Sequence, residues 1–344
     1  MQGGALALWG IILLAATTSA DAQEYAVEDV PSVESLAVAQ LKPRTIAFGD
    51  HRGDPIADPG TGLLRFEDWA RARPRQKQFL SLYPTYVEPT VNVTIDGVKK
   101  SVREKLHVYI AQARFVLDKP PGSLDLNRYA TLPFLERIDP AIKHKLIQPS
   151  DVMLLKDSNF SFNQNPDRPW CVGGQHTICI QSRYQFEGKL PIGIALANKL
   201  RENSKPISEY MEFQSEVRLL SPQEVDVPEM TKLTGVNATI SGAIEQNIFW
   251  VNQMMLFGKF LAVFQQHPTD PTKTVATAFM ALAVKTEVLD KKKEYEKVPI
   301  LRNLVPAQVL VGNSSFNTGN SISAGLPIYV RNRIKAIAGI LDSE

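Results

Sequence analysis

Cys171 and Cys179 are the most specific chemical signal in this chain of 344 residues. They bracket seven residues, Val-Gly-Gly-Gln-His-Thr-Ile, a wider spacing than the C-x-x-C of a thiol–disulfide exchanger. A closed zinc site needs four ligands, and His176 with two thiolates falls short of that. Gly173-Gly174 give the backbone freedom to turn between the cysteines. The pair reads best as a structural disulfide, with free thiols and a metal as the competing readings.

Asp50, His51, Asp54 and Asp58 crowd one loop, and such hard ligands could serve calcium. The D-x-[DN]-x-[DN]-G pattern is missing and Pro55 and Pro59 restrict the backbone, so a solvated turn is expected. Arg52-Gly53-Asp54 within it has the form of an adhesion tripeptide but consists of common loop residues. Arg65, Arg71, Arg73, Arg75 and Lys77 form a basic stretch beside Trp69 and Phe79, which could meet phosphate or an anionic membrane surface. Its competing reading is an exposed helix face partly paired with Glu67 and Asp68.

No G-x-S-x-G, H-E-x-x-H, P-loop or G-x-G-x-x-G occurs, and the five histidines include no i, i+4 pair. No catalytic residue, metal site or cofactor is assigned on this basis, although a site assembled from distant positions leaves no motif. What remains is the apolar block from Ile244 to Val288. Phe249, Trp250, Phe257, Phe260, Phe264, Phe279 and Met280 are its candidate ligand-binding residues, because Met and Phe together suit an adaptable apolar cavity. Several strands in the block are apolar on both faces, which helices, a second sheet or a bound hydrophobic molecule must cover. A filled core is the competing reading.

These residues need elements to hold them. A short helix is predicted over Ser32–Leu41, then a loop rich in Gly, Pro and Asp, then a helix carrying Phe66, Trp69 and Ala70 that ends near Pro74. Val91 to Ile95 alternates and meets the tight-turn pair Asp96-Gly97. Ser101-Val-Arg-Glu104 has the form of a capping box, so a helix is expected from Leu106, in competition with extended character over Leu106–Leu117. Asp139-Pro140 is expected to open another helix. After the polar passage 151–170 come a strand at Ile178–Phe186, a helix at Leu190–Arg201 and a strand at Tyr210–Leu220. Further strands are expected at 236–252, 256–266, 274–288 and 307–312, and a last helix at Gly325–Leu341.

The first residues have a different task. An apolar run from Ala5 to Ala16 is too short to span a bilayer, and Ala20-Asp21-Ala22 fits the A-x-A cleavage pattern before Gln23. Residues 1–22 are therefore expected to be a secretory signal peptide, although no Lys or Arg precedes the run. No later segment is expected to cross a membrane, since the best candidate, Asn247 to Phe264, contains Asn247, Asn252, Gln253 and Lys259. Formal charge is +2, too balanced for a dedicated nucleic-acid binder.

The expected organisation is a polar lead-in at 23–62, a small mixed α/β region at 63–165 and an α+β core domain at 166–344. The fold class is α+β, with a mostly antiparallel curved sheet in the C-terminal half, packed by helices near 190–201 and 325–341. That element order is compatible with a helix-grip arrangement around a cavity. The leading function is an exported, soluble, non-catalytic binder of a hydrophobic small molecule or lipid. An envelope enzyme of hydrolase type and a structural or interaction protein of the envelope are the alternatives. Low cysteine usage favours a periplasmic location in a bacterium over secretion in a eukaryote.

Overall fold

A computed structural model describes residues 24–58, 62–82, 90–103, 106–152, 170–172, 176–185, 210–252, 255–285 and 322–343. The elements, in chain order, are β1 (Ala26–Asp29), β2 (Thr45–Asp50), β3 (Leu64–Arg65), α1 (Phe66–Ala72), α2 (Pro74–Ser81), β4 (Thr90–Ile95), β5 (Val98–Arg103) and β6 (Leu106–Leu117). There follow α3 (Leu132–Ile138), β7 (Ile142–Leu146), β8 (Thr177–Gln185), β9 (Tyr210–Leu220), α4 (Val227–Thr234), β10 (Ile240–Val251), β11 (Met255–Gln266), β12 (Thr274–Lys285) and α5 (Ile322–Ser343). The expected signal peptide, the helix at 190–201 and the strand at 307–312 lie outside the described residues.

One large unclosed sheet runs β1-β2-β6-β12-β11-β10-β9-β8-β7, with β3 also paired to β6. Every pairing in it is antiparallel except β1 with β2. The α+β class and the mostly antiparallel curved sheet are as expected. The sheet is not confined to the C-terminal half, however, because β1, β2, β3, β6 and β7 all join it. β4 and β5 form a separate hairpin.

Local chemistry explains both the agreements and the corrections. Asp96 and Gly97 both take positive φ, 53° and 77°, as a tight hairpin turn requires. That hairpin claims Ser101 as the partner of Asn92, so the apparent capping box starts no helix. The residues after it form strand β6 instead: every residue from Leu106 to Leu117 except Val116 is buried, which a two-sided strand allows and an amphipathic helix does not. Asp139-Pro140 closes a helix rather than opening one. The apolar stripe Phe134, Leu135, Ile138 lies upstream, and the residue before a proline is driven out of helical geometry. The expected helix over Ser32–Leu41 reduces to a 3₁₀ turn at Val38–Gln40. Pro74 both ends α1 and opens α2. Helix α4 has clear end signals in its sequence: Asp226 caps it by accepting from the Glu229 N–H at 3.0 Å and Gly235 ends it at φ 68°.

Helices cover both faces of the sheet. Tyr109, Ala111, Phe115, Ala276, Met280 and Leu282 point to the side of α3 and α5, where Phe134, Leu135, Val330 and Ile334 meet them. Val108, Ile110, Phe279, Ala281, Leu261 and Val263 point to the other side, under Trp69 of α1, Phe79 and Leu80 of α2 and Met230 and Leu233 of α4. Cys171 and Cys179 are joined in a disulfide, with Cα atoms 5.5 Å apart, and their bridge packs with Trp170, Phe249 and Trp250 at one end of β10.

The α1/α2/α4 face contains a fully desolvated ion pair, Lys259 Nζ to Glu245 Oε1 at 2.6 Å, with Lys259 also donating to the Leu82 carbonyl. The pair follows from strand parity: Glu245 aligns with Ala243 and Lys259 with Phe257 and Leu261, all turned inward. Arg114 is another buried polar group on this face. It donates to Thr277 Oγ1 at 3.2 Å, to the Leu36 carbonyl at 2.8 Å and to the Thr234 carbonyl, tying the lead-in and the end of α4 to the sheet.

Lys259→Met strips Glu245 of its cation and is expected to cost about 3–5 kcal/mol. The double replacement Glu245→Leu, Lys259→Met is expected to recover most of that loss, as read from urea unfolding midpoints. Cys171→Ser with Cys179→Ser is expected to cost about 2–3 kcal/mol through loss of a short covalent loop. An intact mass one pair of hydrogens below the reduced value is expected for the parent protein.

Candidate functional site

The seven aromatic and methionine candidates fall into three places. Phe249 and Trp250 lie beside the disulfide, where Trp170 stacks on Phe249 with centroids 5.0 Å apart. Phe257 and Phe279 face α1 and α2, with Phe79 stacked on Phe279 at 6.0 Å. Phe260, Phe264 and Met280 lie together on the opposite face, beneath α5. Strand parity separates the last two groups, odd positions near 257–263 facing one way and even positions the other, while the register shifts between Ile248 and Trp250 beside the first.

On the α5 face a row of polar side chains crosses an otherwise apolar surface. His144 on β7 is paired across from Ser182 on β8, and its Nδ1 lies 2.8 Å from Ser182 Oγ. Ser182 is paired with Phe213 on β9, and Ser215 is the next inward residue along that strand. Ser215 Oγ accepts from Gln246 Nε2 at 3.0 Å, and Gln246 Oε1 accepts from Arg333 Nη2 at 2.6 Å. Arg333 Nη1 lies 3.0 Å from the hydroxyl of Tyr329, one turn earlier on α5, and the guanidinium stands over the Phe260 ring at 4.9 Å. Ser182, Ser215, Gln246, Arg333 and the nearby Asp139 are all buried.

Two polar atoms in this row are buried without a hydrogen-bond partner: Arg333 Nε and His144 Nε2. Burial pushes the His144 imidazole down to about 4, with the Arg333 and Lys143 charges acting in the same direction. Burial raises the Asp139 carboxyl, opposed by Arg333 and by the Ala141 N–H. The Tyr329 hydroxyl is likewise raised by burial. A Ser–His contact has the outline of a nucleophile and its base, but this serine is fully buried and this imidazole is a weak base. General-base catalysis wants an exposed reaction path and a base poised near the working pH.

Beside the row the same face carries an apolar rim. Ile142, Phe213, Ile248 and Val251 are buried, while Tyr184, Met211, Met255, Phe260 and Tyr329 remain half-buried around them. The acidic loop is tied into the fold by its neighbours. Asp50 accepts from Tyr109 at 3.0 Å and Arg52 at 2.8 Å, and Asp54 is paired with Arg73 at 2.9 Å. Among the described residues no group of three or more His, Cys, Asp or Glu side chains could hold a metal ion. Arg65, Arg71, Arg73 and Arg75 are exposed, and Lys77 lies over the Phe66 ring at 5.6 Å.

No protein-family model matches this sequence, and no curated protein matches it. Among solved structures the chain is similar to the human StarD13 (DLC2) lipid transfer and protein localization domain, with 10% identity. The similarity covers 79% of this chain and 95% of that one at a TM-score of 0.28. A superposition that loose fixes neither fold nor function. No described helix is long and apolar enough to cross a membrane.

The polar row was not visible in the sequence, because its members are spread from residue 139 to residue 333 and belong to no motif. A weak signal was present: Gln246 sits at inward parity between Ile244 and Ile248, and Arg333 interrupts the apolar stripe Val330, Ile334, Ala338.

The depressed imidazole makes a pH prediction. Between its folded value of about 4 and its ordinary value of 6.5, the unfolded chain binds more protons, so stability falls as pH is lowered through that window. The raised Asp139 carboxyl acts with the opposite sign, taking up its proton first in the folded state. His144→Gln is therefore expected to lose about 1–2 kcal/mol less stability than the parent between roughly pH 7 and pH 5. Chemical denaturation of both proteins at the two pH values measures the difference.

Proposed function

We propose that this protein is exported, with cleavage near Ala22, and that it is a non-catalytic binder of a hydrophobic small molecule or lipid held on the α5 face of the sheet. The observation that carries the reading is the half-buried rim of Tyr184, Met211, Met255, Phe260 and Tyr329 over a buried apolar floor. Fully packed interiors close over such side chains. Here flexible methionines and flat aromatic rings stay partly open beside one buried cation, which is how apolar ligand sites with a few placed polar groups are built. In this proposal α5 lies along the sheet as the long helix of a helix-grip arrangement, and Phe260 belongs to the lining. The disulfide supports a compartment that is oxidising, periplasmic in a bacterium or extracellular in a eukaryote.

Mature protein purified from its own host and examined by native mass spectrometry is expected to carry an apolar adduct that is lost on denaturation and recovered by organic extraction. Nile red is expected to bind the delipidated protein saturably, and Met211→Glu with Met255→Glu is expected to weaken that binding at least about tenfold. A clean apo mass together with no saturable dye binding would overturn the proposal.

A further inference from the structure

We infer that the ligand of the α5 face is an amphiphile whose polar end is an oxyanion, a carboxylate or a phosphate monoester, received by Arg333 with His144 beside it. This rests on the binding function proposed above and names the chemistry of the ligand.

The argument begins with the charge. Arg331 and Lys335, the neighbouring cations on α5, are paired with Asp29 and Glu24 at the surface. Arg333 is buried, and its hydrogen bonds go to two neutral groups, the Tyr329 hydroxyl and the Gln246 amide oxygen. A guanidinium removed from water calls for a counter-charge, and bonds to neutral oxygens do not supply one. Asp139 is close enough to act on it electrostatically, but no ion pair joins the two, and burial favours the protonated carboxyl.

Geometry then sets the kind of group that fits. Arg333 Nε has no partner, and Nη2 spends one of its two hydrogens on Gln246. The Nε–Nη2 edge is the fork with which arginine grips a carboxylate or phosphate. His144 Nε2 is the other buried atom of this row without a partner, and it carries the proton when Ser182 donates to Nδ1. Both open positions thus present N–H donors and call for an acceptor. An ammonium head would meet the Arg333 charge at close range and is disfavoured. The rim of Tyr184, Met211, Met255 and Phe260 adjoins this point and is the place for the ligand's apolar tail.

Isothermal titration of the delipidated mature protein with dodecanoate, dodecyl phosphate, dodecanol and inorganic phosphate tests the inference. The two tailed anions are expected to bind at least about tenfold more tightly than dodecanol, and inorganic phosphate much more weakly than dodecyl phosphate. Arg333→Met is expected to bring the anions down to the level of dodecanol, and Arg333→Lys to keep part of the preference. Should the methionine variant not fold, the probe ratios in the parent and in the lysine variant decide the matter. Dodecanol binding as tightly as the anions would overturn the oxyanion inference while leaving a hydrophobic binder. Inorganic phosphate binding as tightly as dodecyl phosphate would overturn the amphiphile. Failure of every tailed probe to bind would overturn the binding function and this inference together.

Discussion

Each long central strand of the sheet carries apolar side chains at both parities, so water is excluded from both of its faces. β6 and β12 show this most fully, paired with each other over twelve positions. A Phe, Leu or Met withdrawn from water contributes roughly 1.5–3 kcal/mol, and neither face could be left bare without forfeiting several such contributions. The helices follow from that requirement. α1, α2 and α4 close one side, and α3 and α5 close the other. Even the lead-in is recruited, through Tyr25 and Ile46 on the α5 side and through Glu34, which accepts from Gln76 and Gln112, on the other.

Within so apolar a frame both faces hold buried polar groups. On the α1/α2/α4 face Lys259 meets Glu245 and Arg114 meets two carbonyls and a threonine, while the buried Gln265 Oε1 has no partner. On the α5 face His144 meets Ser182, and separately Ser215, Gln246 and Arg333 form a chain, with two buried nitrogens left open. Polar groups withdrawn from water are normally paired, and the amphiphile proposed above would complete these two positions.

Helix α5 both packs on the sheet and carries the proposed site. Val330, Ile334, Ala338 and Leu341 anchor it to the sheet, and its C-terminal end is held by Asp342 accepting from the Asp118 N–H at 3.1 Å. Tyr329 and Arg333, one turn apart, ride on that anchored stripe and are carried over Gln246 and Phe260. Precision at the site thus comes from packing along the rest of the helix rather than from the polar contacts themselves.

The sequence alone was enough for the α+β class, the strands at Tyr210–Leu220 and near 256–266, the Asp96-Gly97 hairpin, the disulfide and the last helix. These depend on neighbours in the chain: alternation, a two-residue turn, a short cysteine spacing, a run of helical period. Tertiary structure decided what local pattern could not. Leu106–Leu117 became a strand because both of its faces are buried, although the residues before it imitate a helix cap. Asp139-Pro140 ended a helix because the apolar stripe lay on its upstream side. The partition of Phe257 and Phe279 from Phe260 and Met280 was implicit in strand parity, but the placing of Arg333 over Gln246 and Phe260 depended on where α5 came to rest. That position is set by contacts between residues up to hundreds of places apart, and no local spacing encodes it.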